Sequence, residues 1–120
     1  VLGRLVGRLH DQGFQHRDLK GNNLLLRDGG EDVEAFLIDL DGLRQRRRVP
    51  FAACTKGLTR LAVSAEMHPW LSRTDRLRFL QAYLRQMAEN RRTWKTWWRA
   101  IGATLAAALV EIRAAGKPIA

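Results

Sequence analysis

A carboxylate, an ammonium and a carboxamide stand close together at Asp18, Lys20 and Asn23, within the string His16-Arg17-Asp18-Leu19-Lys20-Gly21-Asn22-Asn23. Those groups suit phosphoryl transfer. Asp18 would accept a hydroxyl proton, Lys20 would neutralise the phosphate in flight, and Asn23 would offer an oxygen to Mg²⁺. A second acid follows in Ala35-Phe36-Leu37-Ile38-Asp39-Leu40-Asp41-Gly42, an apolar run that ends in Asp39, 21 residues beyond Asp18. Its four apolar residues read as a buried strand that delivers a metal-binding carboxylate at its end.

These groups need elements to hold them. Leu2, Leu5, Val6 and Leu9 recur at helical spacing, and Gly13 is a plausible left-handed stop after Asp11. Leu24 to Arg27 and Glu34 to Leu40 read as two strands joined by the turn Arg27-Asp28-Gly29-Gly30-Glu31-Asp32, a hairpin flanked by the two acidic sites. Beyond Gly42 the chain reads as irregular and basic through Pro50. Helical spacing returns near Lys56 to Glu66 through Leu58, Leu61, Ala62 and Ala65. Ser72 or Thr74 then caps a helix to about Arg92, with Leu77, Leu80, Leu84 and Met87 inward. A last helix starts near Thr93 and stops near Gly116-Lys117-Pro118.

With 120 residues, 46% hydrophobic and 28% charged, the chain is globular and holds one domain, 1–120. The single Cys54 excludes an internal disulfide and reads as a packing residue. The net charge of +9 favours a polyanionic partner without choosing among nucleic acid, acidic lipid and phosphorylated glycolipid. Ile101 to Val110 is the longest uncharged, largely apolar run and is too short for a bilayer, which takes about 20 residues. The first residues already read as the middle of a structure, so the chain is expected to be a fragment.

The string at 16–23 matches the catalytic-loop signature of protein kinases, by comparison and not by derivation. The chain resembles the carboxy-terminal lobe of a protein-kinase-like fold, an α+β and mainly helical unit with a short β-hairpin bearing the catalytic and metal-binding loops. More narrowly it resembles the bacterial lipopolysaccharide core kinases, the family of Kdo and heptose kinases. The stretches from Leu9 to Lys20, from Leu37 to Asp41 and from Leu71 to Leu84 carry that likeness.

The resemblance implies a transfer of the γ-phosphate of ATP to a sugar hydroxyl of the lipopolysaccharide inner core. Asp18 would be the base, Lys20 would meet the γ-phosphate, and Asn23 and Asp39 would hold Mg²⁺. His16 and Arg17 would be supports. Asp41 departs from the usual Asp-Phe-Gly form and would either bind metal or cap the turn. The lipid A-linked acceptor implies a cytoplasmic place beside the inner membrane, with no nucleic-acid partner. The Gly-rich loop and strand lysine of the other lobe are absent, so the fragment alone is expected to be inactive. The alternatives are a kinase acting on a protein Ser/Thr or small metabolite, and a non-catalytic protein that kept the fold.

Arg44, Arg46, Arg47 and Arg48 stay open between a solvated loop and a site for acceptor anions, beside the composition's likeness to a nucleic-acid patch. Trp94, Trp97 and Trp98 read as packing, with a membrane-interface role as the rival. His10 and His68 have no metal-spaced neighbours and read as structural.

Overall fold

The computed structural model describes residues 1–20, 23–88, 90 and 92–116. Gly21 and Asn22 of the catalytic string, and Lys117 and Pro118 of the expected helix stop, lie outside them. Among the described residues there are four helices, α1 (Leu2–Asp11), α2 (Phe51–Ala65), α3 (Arg73–Arg85) and α4 (Trp94–Ala114), and two small antiparallel sheets. Strand β1 (Phe14–His16) pairs with β4 (Leu43–Gln45), and β2 (Leu24–Asp28) pairs with β3 (Val33–Leu37). The mainly helical α+β expectation holds.

The crossing of α1 on α3 depends on small residues. A β-carbon on Gly3 would stand 2.5 Å from the Phe79 carbonyl oxygen, and one on Gly7 would stand 2.6 Å from that of Tyr83. Glycine therefore lets the two backbones meet. The deeply buried face of α1 is Gly3, Val6, Gly7 and His10, whereas the leucines at positions 2, 5 and 9 are only half-buried. Helical periodicity located the helix, but the close contact rotated its buried stripe toward the glycines.

Tyr83 and Trp97 anchor the core between α3 and α4, their rings 5.6 Å apart and edge-on, and Phe51 closes on Trp97 at 4.6 Å. Trp97 is thus a packing residue, while Trp94 lies exposed. Cys54 is buried among the same groups, which bears out its packing role. Ser72 caps α3 in a reciprocal box with Asp75, and those hydrogen bonds, the one from the Ser72 amide foremost, hold the Asp75 carboxyl below its usual range.

Three expectations change. The run after Gly42 opens as strand β4, because it finds β1 as a partner across the chain. Helix α2 begins at Phe51, directly after Pro50. Helix α3 stops at Arg85, seven residues short of the expected end. There Asp11 Oδ1 accepts the Ala88 amide at 3.0 Å, and Asn90 Oδ1 accepts both the Arg92 amide and Trp97 Nε1. Side-chain acceptors replace the next helical turn.

The β2–β3 hairpin forms with the expected turn, but β3 stops at Leu37, three residues short of the expected Leu40, because the chain turns at the left-handed Asp39 into a 3-10 turn, and the hairpin is not buried. Leu25, Leu26, Phe36 and Ile38 are 52%, 54%, 40% and 44% exposed. An apolar strand reports that it prefers a covered place, and no described element of this chain covers that surface.

Candidate active site

Burial along the loop sorts its groups. His16 and Leu19 are buried, Arg17 is exposed, and Asp18 and Lys20 are half-exposed. Leu19 lies under the loop against α2, where Gly57 leaves room: a β-carbon there would be 3.4 Å from Leu19 Cδ2. The loop is therefore seated on α2 by one leucine, while Arg17, Asp18 and Lys20 reach solvent.

His16 ties this loop to the second acid. Its Nδ1 accepts the Asp18 amide at 3.0 Å, and its Nε2 donates to the Asp39 carbonyl at 2.6 Å. An amide can only donate and a carbonyl can only accept, so the ring carries its proton on Nε2. The Arg17 amide also donates to the Gly42 carbonyl at 3.1 Å. The supporting role expected of His16 is thus visible as specific bonds.

Asn23 completes the arrangement from the other side. It is buried, its Nδ2 donates to the Asp18 carbonyl at 2.8 Å, and its own carbonyl accepts the Ile38 amide at 2.9 Å. That backbone bond sets Asn23 opposite the residue before Asp39. With the amide nitrogen engaged, Oδ1 is the atom of Asn23 suited to a cation. Asp39 adopts φ 61° and ψ 77°, the left-handed region, as it leads into a 3-10 turn over Leu40–Gly42 that contains the exposed Asp41. Acids tolerate that conformation better than most residues do, yet it costs free energy and marks a place held for a reason.

One carboxylate and one carboxamide oxygen suit Mg²⁺, which takes few protein ligands and completes its shell with phosphates and water. Among the described residues no group of three or more His, Cys, Asp or Glu side chains gathers that could hold a metal.

Two cations flank Asp18. Lys20 Nζ lies 3.7 Å from Oδ2, and Arg60 Nη1 lies 3.3 Å from Oδ1. Arg60 was not legible in the sequence, since it comes from α2, 42 positions away, and no local motif marks it. The arginine run is exposed and anchored beside the loop: Arg44 pairs with Gln15 in the sheet, the Arg46 amide donates to the Gly13 carbonyl at 2.7 Å, and its Nη1 donates to Gln15 Oε1 at 2.9 Å.

His10 is structural, as expected. It is buried, its Nδ1 shares a 2.5 Å hydrogen bond with Tyr83 Oη, and burial lowers its pKa to about 4. The same burial pushes the Tyr83 phenol far up. His68 stacks at a tilt on the exposed Trp70.

A separate apolar cavity of about 600 Å³ opens between β2, α2, α3 and α4, lined by Leu24, Leu61, Ala65, Phe79, Trp98 and Ile101 among others. None of Asp18, Lys20, Asn23 and Asp39 lines it. The expected inner face of α2, with Leu58, Leu61, Ala62 and Ala65, looks into this cavity. No helix among the described residues is long and apolar enough to cross a membrane.

A half-exposed carboxylate with a lysine beside it, an amide just before β2 and an acid two residues after β3, on this arrangement of helices and small sheets, fit a protein-kinase-like carboxy-terminal lobe. Residues 1–83 match the lipopolysaccharide kinase (Kdo/WaaP) family, and the chain belongs to that family. It is 42% identical over 40 residues to a 3-deoxy-D-manno-octulosonic acid kinase of Mannheimia succiniciproducens, and 40% identical over 40 residues to the kinase of that name from Haemophilus influenzae. Each match spans 33% of this chain and 17% of the relative. In three dimensions the chain resembles WaaP, solved in complex with acyl carrier protein, with a TM-score of 0.68 and 31% identity over 92% of this chain and 44% of that one. The chain therefore spans less than half the length of the proteins it matches.

Proposed function

We propose that the protein containing this lobe transfers the γ-phosphate of ATP to a hydroxyl of an inner-core lipopolysaccharide sugar, Kdo or heptose. The observation that carries the reading is the His16 bridge, which fixes Asp18 and Asp39 to one another. Asp18 orients the sugar hydroxyl and takes its proton as that oxygen bonds to the γ-phosphorus. The bond from the γ-phosphorus to the bridging oxygen breaks, and ADP leaves. Lys20 compensates negative charge on the moving phosphoryl group. Asn23 and Asp39 would hold Mg²⁺, which when bound neutralises the ATP phosphates. The exposed hairpin face is suited to the amino-terminal lobe that roofs a kinase nucleotide site, and the reading places the enzyme on the cytoplasmic face of the inner membrane.

The test is Asp18→Asn in the full-length protein with Kdo-lipid A as acceptor. Phosphate transfer is expected to fall by at least about a thousandfold while ATP binding survives. Turnover like that of the unaltered enzyme overturns the base assignment. Transfer to a peptide or metabolite instead of the glycolipid gives the acceptor to the alternative kinase reading.

The apolar cavity supports a second reading, an acyl-bearing partner such as the acyl carrier protein found with the structural neighbour. Titration of the full-length protein with acylated and unacylated carrier tests it, and equal affinity for the two removes the cavity from the account.

A further inference from the structure

The contact of Arg60 with Asp18 is poorly explained by stability or by chemistry at Asp18 itself. Arg60 and Asp18 are 43% and 41% exposed, and a solvated pair of that kind contributes about 0–1 kcal/mol. Lys20 already supplies a cation at the other carboxylate oxygen. A guanidinium that stayed on Oδ1 would also compete with the sugar hydroxyl that Asp18 has to receive. Only one nitrogen, Nη1, is engaged at 3.3 Å, where a planar fork of five N–H donors is on offer.

The position of Arg60 is nonetheless well determined. Helix α2 is set against the catalytic loop at Gly57, whose α-carbon side faces Leu19 and the His10 ring. Arg60 follows three residues later, and Lys56, one turn before it, is exposed on the same side. The fork thus stands, 43% exposed, at the rim of the loop, 3.3 Å from the carboxylate proposed to meet the reacting hydroxyl. Planar, permanently charged and weakly hydrated, it matches a carboxylate in two-point contact.

We propose that Arg60 is a specificity-determining residue that binds the carboxylate of a sugar-acid acceptor, placing the hydroxyl near that carboxylate on Asp18. The inference rests on the proposed sugar-kinase function and narrows its acceptor to an acidic sugar. When the acceptor enters, its carboxylate takes the free edge of the guanidinium and its hydroxyl takes the place of Arg60 at Asp18 Oδ1.

Steady-state kinetics of the full-length protein with Kdo-lipid A, and with the same acceptor as its carboxyl methyl ester, test this. Arg60→Gln is expected to raise the KM for the acid at least about tenfold, the equivalent of one charge-assisted hydrogen bond, and to bring it level with the ester. The KM for ATP stays unchanged, and Arg60→Lys recovers part of the preference. A loss in kcat equal for acid and ester, with KM unmoved, overturns the proposal and leaves Arg60 acting only through Asp18. An unaltered acid-over-ester preference in Arg60→Gln overturns it as well. If the unaltered enzyme phosphorylates neither acceptor, Kdo is not its acceptor and the Arg60 proposal is overturned, while transfer to a heptose acceptor in the same assay keeps the sugar-kinase reading.

Discussion

His16 Nε2 donates to the carbonyl of Asp39 at 2.6 Å while its Nδ1 receives the amide of Asp18, so one buried imidazole spans the two loops of the site. Both bonds are to backbone, so the imidazole occupies neither carboxylate. Replacing His16 with Phe keeps a ring of similar size and removes both bonds. We expect a loss of about 2 kcal/mol in stability, from a carbonyl and an amide left without their partner. We also expect kcat to fall at least about tenfold as the loops lose register. Urea unfolding and turnover of the full-length variant check the two effects separately.

Asp39 separates backbone cost from chemistry. Its φ of 61° suits glycine better than any acid. Asp39→Gly is expected to raise stability by up to about 1 kcal/mol while abolishing transfer, and Asp39→Asn to leave stability nearly unchanged with the same loss of activity. Thermal melting and the transfer assay, run on both variants, distinguish a strained ligand from a merely structural turn. Retained activity in Asp39→Gly removes Asp39 from the proposed Mg²⁺ set.

The His10–Tyr83 pair sets an acid limit on the fold. His10 titrates near 4 when folded, against an ordinary value of 6.5, because burial disfavours its charged form. The unfolded chain therefore binds the extra proton first, and the stabilisation present above pH 6.5 is lost as pH falls toward 4. The loss amounts to about 3 kcal/mol. Unfolding followed by tryptophan fluorescence should show this fall, since Tyr83 packs on Trp97. His10→Gln should flatten the profile in that window.

The arginines beside the loop make a separate claim on the acceptor. Arg46→Glu with Arg47→Glu is expected to raise the acceptor KM at least about tenfold and to leave ATP affinity alone. Kinetics at two salt concentrations check it, because an electrostatic contribution weakens with ionic strength. An unchanged acceptor KM returns the run to a solvated loop.

The chemical groups were legible in the sequence because they are local. Asp18, Lys20 and Asn23 fall within one loop, the glycine turn dictates the hairpin, and Ser72 and Thr93 announce the starts of α3 and α4. What depends on distant partners was not legible. Strand β4 exists because β1 is there to receive it, and α3 ends where side chains of Asp11 and Asn90 take over its hydrogen bonding. The buried face of α1 was set by how closely Gly3 and Gly7 let α3 approach. The exposed hairpin shows the same limit, since apolar sequence states a preference for burial and only the assembled surroundings supply it. Arg60 is the sharpest case: residue type made it a cation, and only the packing of α2 beneath the loop brought that cation to Asp18.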